Sequence, residues 1–192
     1  MARSVEFDEE EVIQKATAVF WKKGYSATSM RDLTDAMQIN ISSLYNTIGD
    51  KRQVFIKCIK HYTEVRMRAL EQRAANFDSS FAALDAFIKD AAHTITTDPN
   101  SCMCVKTAFE IEGADADVQK VINDYNNYIH LLLKRMITDA QKAGDISKNE
   151  DADTIANYLD SLFTGWYNSF IMYQDRNKIL EMANYVTRHL GA

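Results

Sequence analysis

The chain has 192 residues, 46% of them hydrophobic, with one proline and six glycines. So few breakers exclude a turn-rich β architecture and point to helix, and the length suits one domain or two small ones. The formal net charge is −5, but residues 1–75 hold 12 Lys and Arg against 10 Asp and Glu, whereas residues 76–192 hold 10 against 17, so the N-terminal part is the one suited to a polyanion.

The opening "MARSVEFDEEE" turns acidic at once and reads as no signal peptide. A first helix is expected from Asp8, with Glu11 completing a capping-box pattern. Val12, Ile13, Ala16, Val19 and Phe20 form its apolar face, and Gly24 ends it with a left-handed residue. Thr28 caps a second helix that ends near Met37. Asn40 caps a very short third one. Asp50 with Gln53 caps a fourth, whose face is Phe55, Cys58, Ile59, Tyr62 and Val65. "NFDSS" breaks the pattern. A fifth helix carries Phe81, Leu84, Ile88, Ala91 and Ile95, and Pro99 stops it. A shorter helix covers Cys102 to Glu112 and ends at Gly113. A long one runs from about Asp115 to Ala143. The next carries Ile155, Leu159, Leu162, Phe163, Trp166, Phe170 and Tyr173, and a last one starts near Asn177. Repeats, low complexity and convincing strands are absent from the pattern, so the fold class is all-α.

The stretch "SMRDLTDAMQINISSLYNTIGDK", Ser29 to Lys51, carries the functional signal. Met30, Leu33 and Ala36 pack one face of the second helix. Ile39 and Leu44 hold the third against it. A helix this short persists only when pinned to its neighbours. What it presents outward is Ser42, Ser43, Tyr45, Asn46 and Thr47: hydroxyls, an amide and a phenol suited to phosphate oxygens and base edges. Lys51 begins the fourth helix, where a cation opposes the helix dipole unless an anion docks there. This is the spacing of a helix-turn-helix. A helical hairpin with a polar surface would carry the same pattern.

"GYSATSMRDLTDAMQINISSLYNTIGDKRQVF" resembles the DNA-binding segment of the tetracycline-repressor (TetR) family of transcriptional regulators. The shared pattern is Gly-aromatic, a Thr, an Asp-Leu helix, Leu-Tyr, and a Lys after a short turn. The resemblance implies a three-helix DNA-binding domain, residues 6–66 with the motif at about 29–48, followed by a helical effector-binding and dimerisation domain, residues 78–192. It implies DNA contacts from Thr28, Ser42, Ser43, Tyr45, Thr47 and Lys51, and Arg31, Asn40 and Asn46 complete the candidate set beside them. Gln38 departs from the usual turn glycine, Ile41 from a common polar or basic residue, and Ile48 from a usual phenylalanine. The implied partners are a palindromic double-stranded DNA operator, a small-molecule effector and a second copy of the chain.

The C-terminal half offers two candidate sensors. "SCMCVK" places Cys102 and Cys104 at a helix start, where the dipole and Lys106 favour thiolate. It is similar to the "GCLTVK"-like stretch of family members that sense electrophiles and oxidants, so a thiol-responsive repressor is the alternative reading. Both cysteines equally suit small apolar core positions. Phe109, Tyr125, Tyr128, Trp166, Tyr167 and Phe170 are candidates for an aromatic-lined effector site, or for ordinary core. The last two helices resemble the family's dimer-forming pair, with apolar surface from about Thr154 to Leu190 and Val186 as an exposed position.

Other classes fit poorly. His61, His93, His130 and His189 are scattered, so no metal site is expected and no cofactor is implied. There is no Gly-rich phosphate loop, no HExxH, and no Ser or Cys with an adjacent His, so an enzyme or carrier is the least favoured reading. The apolar stretch Tyr158 to Tyr173 is too short to span a membrane. Three cysteines without a disulfide framework suit a reducing cytoplasm.

Overall fold

A computed structural model describes residues 8–98, 100, 102–111 and 115–191. Its described residues form nine α-helices: α1 Glu9–Lys23, α2 Met30–Met37, α3 Ile41–Thr47, α4 Lys51–Ala74, α5 Ser80–Thr97, α6 Met103–Ile111, α7 Ala116–Ala143, α8 Ala152–Tyr173 and α9 Arg176–Leu190. Among the described residues, extended backbone pairs in an isolated antiparallel bridge between Ile146 and Gly191. The all-α expectation holds. Pro99 and the helix end expected at Glu112 and Gly113 lie outside the described residues.

The chain divides into two compact units, one from Met1–Arg66 with Met103–Ile122, the other from Met67–Cys102 with Asn123–Ala192. In this division α6 and the start of α7 group with the first unit, where their polar side chains bond to α1, α4 and the turn between α1 and α2.

Within the first unit, α1, α2, α3 and the start of α4 close around Ile13, Ala16, Phe20, Leu33, Met37, Leu44, Val54, Phe55 and Ile59, all nearly inaccessible. Phe20 meets Phe55 edge-on at 4.9 Å, and Tyr25 lies 4.8 Å from Phe55. Trp21 meets Tyr62 edge-on at 5.2 Å. Such ring pairs contribute about 0.5–1.5 kcal/mol each beyond their burial.

The second unit packs α5, α7, α8 and α9 around Leu84, Ile88, Leu133, Ile137, Ala156, Leu159, Trp166, Ile179 and Ala183. Val186, expected on the surface, is 5% exposed and belongs to this core. The exposed apolar side chains of α8 and α9 are Tyr158, Ile171, Met172, Tyr173 and Tyr185.

α3 has seven residues and one buried side chain, Leu44, at 0% exposure. Leu44→Ala is expected to cost about 2–5 kcal/mol, the usual penalty for a cavity at a fully enclosed leucine. Urea unfolding of the variant against the parent protein measures it.

Candidate nucleic-acid interface

Two caps and one left-handed residue aim α3. Ser29, not Thr28, is the N-cap of α2. Its hydroxyl accepts from the Asp32 N–H at 3.1 Å, and the Asp32 carboxylate accepts from the Ser29 N–H at 2.9 Å, which closes a capping box. The expectation that Thr28 caps this helix is therefore corrected. The Thr28 hydroxyl turns inward and donates to the Gly24 carbonyl at 2.6 Å, with the residue 1% exposed. So placed, it offers nothing to a phosphate. Gln38 ends α2 at φ 59° and ψ 36°, a left-handed conformation that costs a non-glycine residue about 1–2 kcal/mol. Asn40 then caps α3 as expected, accepting from the Ser43 N–H at 2.8 Å.

The outward face of α3 carries Ile41, Ser42, Tyr45, Asn46 and Thr47, all exposed, with Ser43 half-buried beside the cap. Arg31 of α2 is also exposed, with Asp35 3.8 Å away. The helix itself bears no cation. The nearest part of the motif to supply one is the start of α4. There Asp50 and Gln53 cap each other reciprocally, each bond 2.9 Å. Lys51 follows, its ammonium 4.6 Å from the centre of the Tyr25 ring and 3.4 Å from the Ser26 carbonyl. The aromatic face and the carbonyl offset the repulsion that a cation feels at a helix N-terminus.

The Tyr25–Ser26 turn is itself held from α6. The Glu110 carboxylate accepts from the Tyr25 N–H at 2.8 Å and from the Ser26 N–H at 2.6 Å. Burial alone would raise this carboxyl. The two backbone donors and the Lys106 charge outweigh that and hold it below the usual carboxylate range. Gly24 makes the approach feasible: it sits at φ 84°, and a Cβ there would stand 2.8 Å from a Glu110 oxygen. Lys106, one turn earlier, donates to the Trp21 carbonyl at 2.9 Å and the Lys22 carbonyl at 3.2 Å, at the negative end of α1. A third link runs from Arg52, which grips Asp115 through two bonds of 2.6 and 2.8 Å and reaches Asp117 at 2.6 Å.

The Lys106 ammonium, expected to favour a thiolate at Cys102, donates to the Trp21 and Lys22 carbonyls. Cys104 is buried at 1% exposure. Cys102 is half-buried and precedes α6; burial raises the Tyr167 phenol, and Cys102 adds to that from nearby. Cys58 is fully enclosed, and burial pushes its thiol up to about 12.

The six aromatic candidates do not form one group. Phe109 belongs to the first unit and is 56% exposed. The other five lie in the second. Tyr125 and Trp166 are buried, Tyr167 and Phe170 are half-buried, and Tyr128 donates its hydroxyl to the Met67 carbonyl at 3.2 Å. A ring chain links Phe87, Phe163 and Trp166, with centroids 5.8 and 5.6 Å apart. The Trp166 indole N–H is buried and finds no acceptor among the described residues. A cleft of about 260 Å³ opens elsewhere in this unit, lined by Glu71, Phe77, Asp78, Arg135, Met136 and Asp139 among others, and by none of the six.

Residues 12–58 match the profile of bacterial regulatory proteins of the tetR family, and residues 80–186 match the tetracyclin repressor-like C-terminal domain. The chain belongs to the TetR family. It is a DNA-binding transcriptional regulator. It is 26% identical to the HTH-type regulator YezE of Bacillus subtilis, over 83% of this chain and 84% of that one. It is 22% identical to the transcriptional repressor ComR of Escherichia coli, over 95% of this chain and 88% of that one. Among solved structures it resembles the TetR-family regulator CifR, in a cysteine-substituted form bound to 26-bp operator DNA. There the TM-score is 0.81 at 22% identity, covering 98% of this chain and 100% of the other. It also resembles reduced NemR of E. coli, with TM-score 0.85 at 12% identity over 95% of this chain and 96% of that one.

The sequence pattern does not single out Ser29 or Glu110, and it does not show the bond of Lys106 to the end of α1. Asp32 stands three residues after Ser29, a capping-box signal that was available. Nothing local marks Glu110, whose partners are 84 and 85 residues away. Its importance is open to test. Glu110→Ala is expected to cost about 1–3 kcal/mol, because two backbone donors lose a charged acceptor. The depressed carboxyl contributes stability at neutral pH that is lost as pH falls below its ordinary value of 4.5 and through the folded one. Unfolding free energies of parent and variant from neutral to acidic pH should therefore converge at the acidic end.

Proposed function

We propose that this regulator is a repressor that binds a palindromic operator as a homodimer and is released by an effector in its second unit. The observation that carries the reading is the exposed polar face of α3, aimed by the Asn40 cap and flanked by Lys51. One such helix reads few bases, so two copies on two half-sites supply the needed specificity. The exposed apolar residues Tyr158, Ile171, Met172, Tyr173 and Tyr185 of α8 and α9 support pairing between copies. The relatives are transcriptional regulators and not enzymes, and no catalytic activity is proposed here. No described helix is long and apolar enough to cross a membrane.

The effector reading rests on the second unit's buried rings and on the Trp166 donor. A mainly apolar molecule with one hydrogen-bond acceptor would satisfy that N–H. The chain passes directly from the second unit into α6 at Cys102–Met103. A shift there would move Lys106 and Glu110, and with them the turn beneath Lys51.

Gel shifts at several salt concentrations test the DNA reading. Lys51→Ala should weaken binding to every duplex and reduce the salt slope by roughly two for a dimer, one phosphate contact per protomer. Sedimentation of the complex should give two protomers per palindrome. An unchanged slope in a folded variant would remove Lys51 from the phosphate contacts.

A second reading is favoured by one observation: Cys102 is the accessible thiol at the junction into α6. If it is a sensor, an alkylating electrophile should label Cys102 about tenfold or more faster than the enclosed Cys58 and Cys104, and the labelled protein should release DNA. Mass-spectrometric labelling rates beside a gel shift decide. Equal, slow labelling of all three leaves the non-covalent effector as the account.

A further inference from the structure

The first residue of α3 is Ile41, and it is 50% exposed. Tyr45, one turn on, is also 50% exposed. Residues four apart lie on the same side of a helix. On the otherwise polar outward face of α3, Ile41 and the ring of Tyr45 thus make one short apolar strip beside Ser42, Asn46 and Thr47. Leu44 and Ile48 already fill the inward face at 0% and 6% exposure. Ile41 is therefore surplus to the packing of its own helix.

A half-exposed isoleucine on a DNA-reading face needs an apolar counterpart to gain from docking. Phosphates supply none, and the apolar carbons of deoxyribose are the same at every base pair and so carry no sequence information. Of the groups at major-groove base edges, the 5-methyl of thymine is the apolar one. α3 also has no Arg or Lys with which to take the guanine edge in bidentate fashion.

We propose that Ile41 is a specificity-determining residue that reads thymine through its 5-methyl group, with Tyr45 covering the same contact from one turn along. The proposal rests on α3 being the DNA-reading helix. It adds the base that the helix prefers and the side chain that sets the preference.

The test begins by selecting bound duplexes from a random library with the full-length protein. Each thymine of the selected site is then replaced by deoxyuridine, which keeps the hydrogen bonds and lacks the methyl. One thymine per half-site should show roughly fourfold weaker binding on replacement, the effect of losing one buried methyl. Ile41→Val should keep that sensitivity. Ile41→Ala should bind the thymine and uracil duplexes equally well. The substituted side chain is half-exposed and the inward face is untouched, so circular dichroism should report an unchanged fold. A selected site with no methyl-sensitive thymine, or a sensitivity that survives in Ile41→Ala, overturns the proposal and leaves α3 as the reading helix. If no sequence is enriched at all, the reading of α3 fails, and the thymine contact fails with it.

Discussion

The first unit depends on one carboxylate. Glu110 holds the N–H groups of Tyr25 and Ser26 in a turn that has no secondary structure of its own to satisfy them. The Tyr25 donor is half-buried, where losing its partner is costly, and the exposed Ser26 donor shares the same carboxylate, so Glu110 holds the turn at both residues. Lys51 rests on the same two residues, through the Tyr25 ring and the Ser26 carbonyl. Gly24 leaves room for the carboxylate, and Thr28 closes the turn from below by bonding back to Gly24. The placing of Lys51 on the proposed DNA-facing surface therefore depends on a residue of α6.

This arrangement separates holding from reading. The cations and carboxylates of the first unit are largely committed to each other: Lys23 to Asp32, Lys57 to Glu9, Arg52 to Asp115 and Asp117. They brace helices against one another. α3 is left with neutral groups. If α3 reads DNA as proposed, a neutral face gains little from long-range attraction, so its discrimination depends on close fit, and close fit requires that α3 does not rock. Leu44 and Ile48 inside, the Asn40 cap and the Gln38 turn supply that stiffness.

The local features were legible in the sequence. Asp8, Asn40 and the Asp50–Gln53 pair cap where their spacing said they would, because a cap is decided by residues within one turn. Gln38 adopts the left-handed conformation that its place in the turn requires. The choice between Thr28 and Ser29 was missed because adjacent hydroxyls are equivalent to a propensity argument, and Asp32 breaks the tie. Lys106 shows the other kind of failure. Its neighbour in sequence was Cys102, but its neighbour in space is the end of α1, 84 and 85 residues back along the chain. Val186 lay on an apolar stripe that could have faced either a core or a partner, and periodicity does not distinguish those two. The aromatic candidates were read as one set because composition cannot assign Phe109 to a different unit from Trp166.

The discontinuity of the first unit has a consequence for the chain while it is being made. Its last segment, Met103–Ile122, is separated from Arg66 by 36 residues that belong to the other unit, Met67–Cys102. A ribosome delivers α1, α2 and α3 first and Glu110 only later, a lag of roughly a few seconds at ordinary elongation rates. Throughout that interval the Tyr25–Ser26 turn lacks its carboxylate. A polypeptide released before Glu110, or cut between the two segments, carries all of α3 and lacks the carboxylate that holds the turn beneath Lys51. The finished geometry of that turn therefore waits on the synthesis of α6.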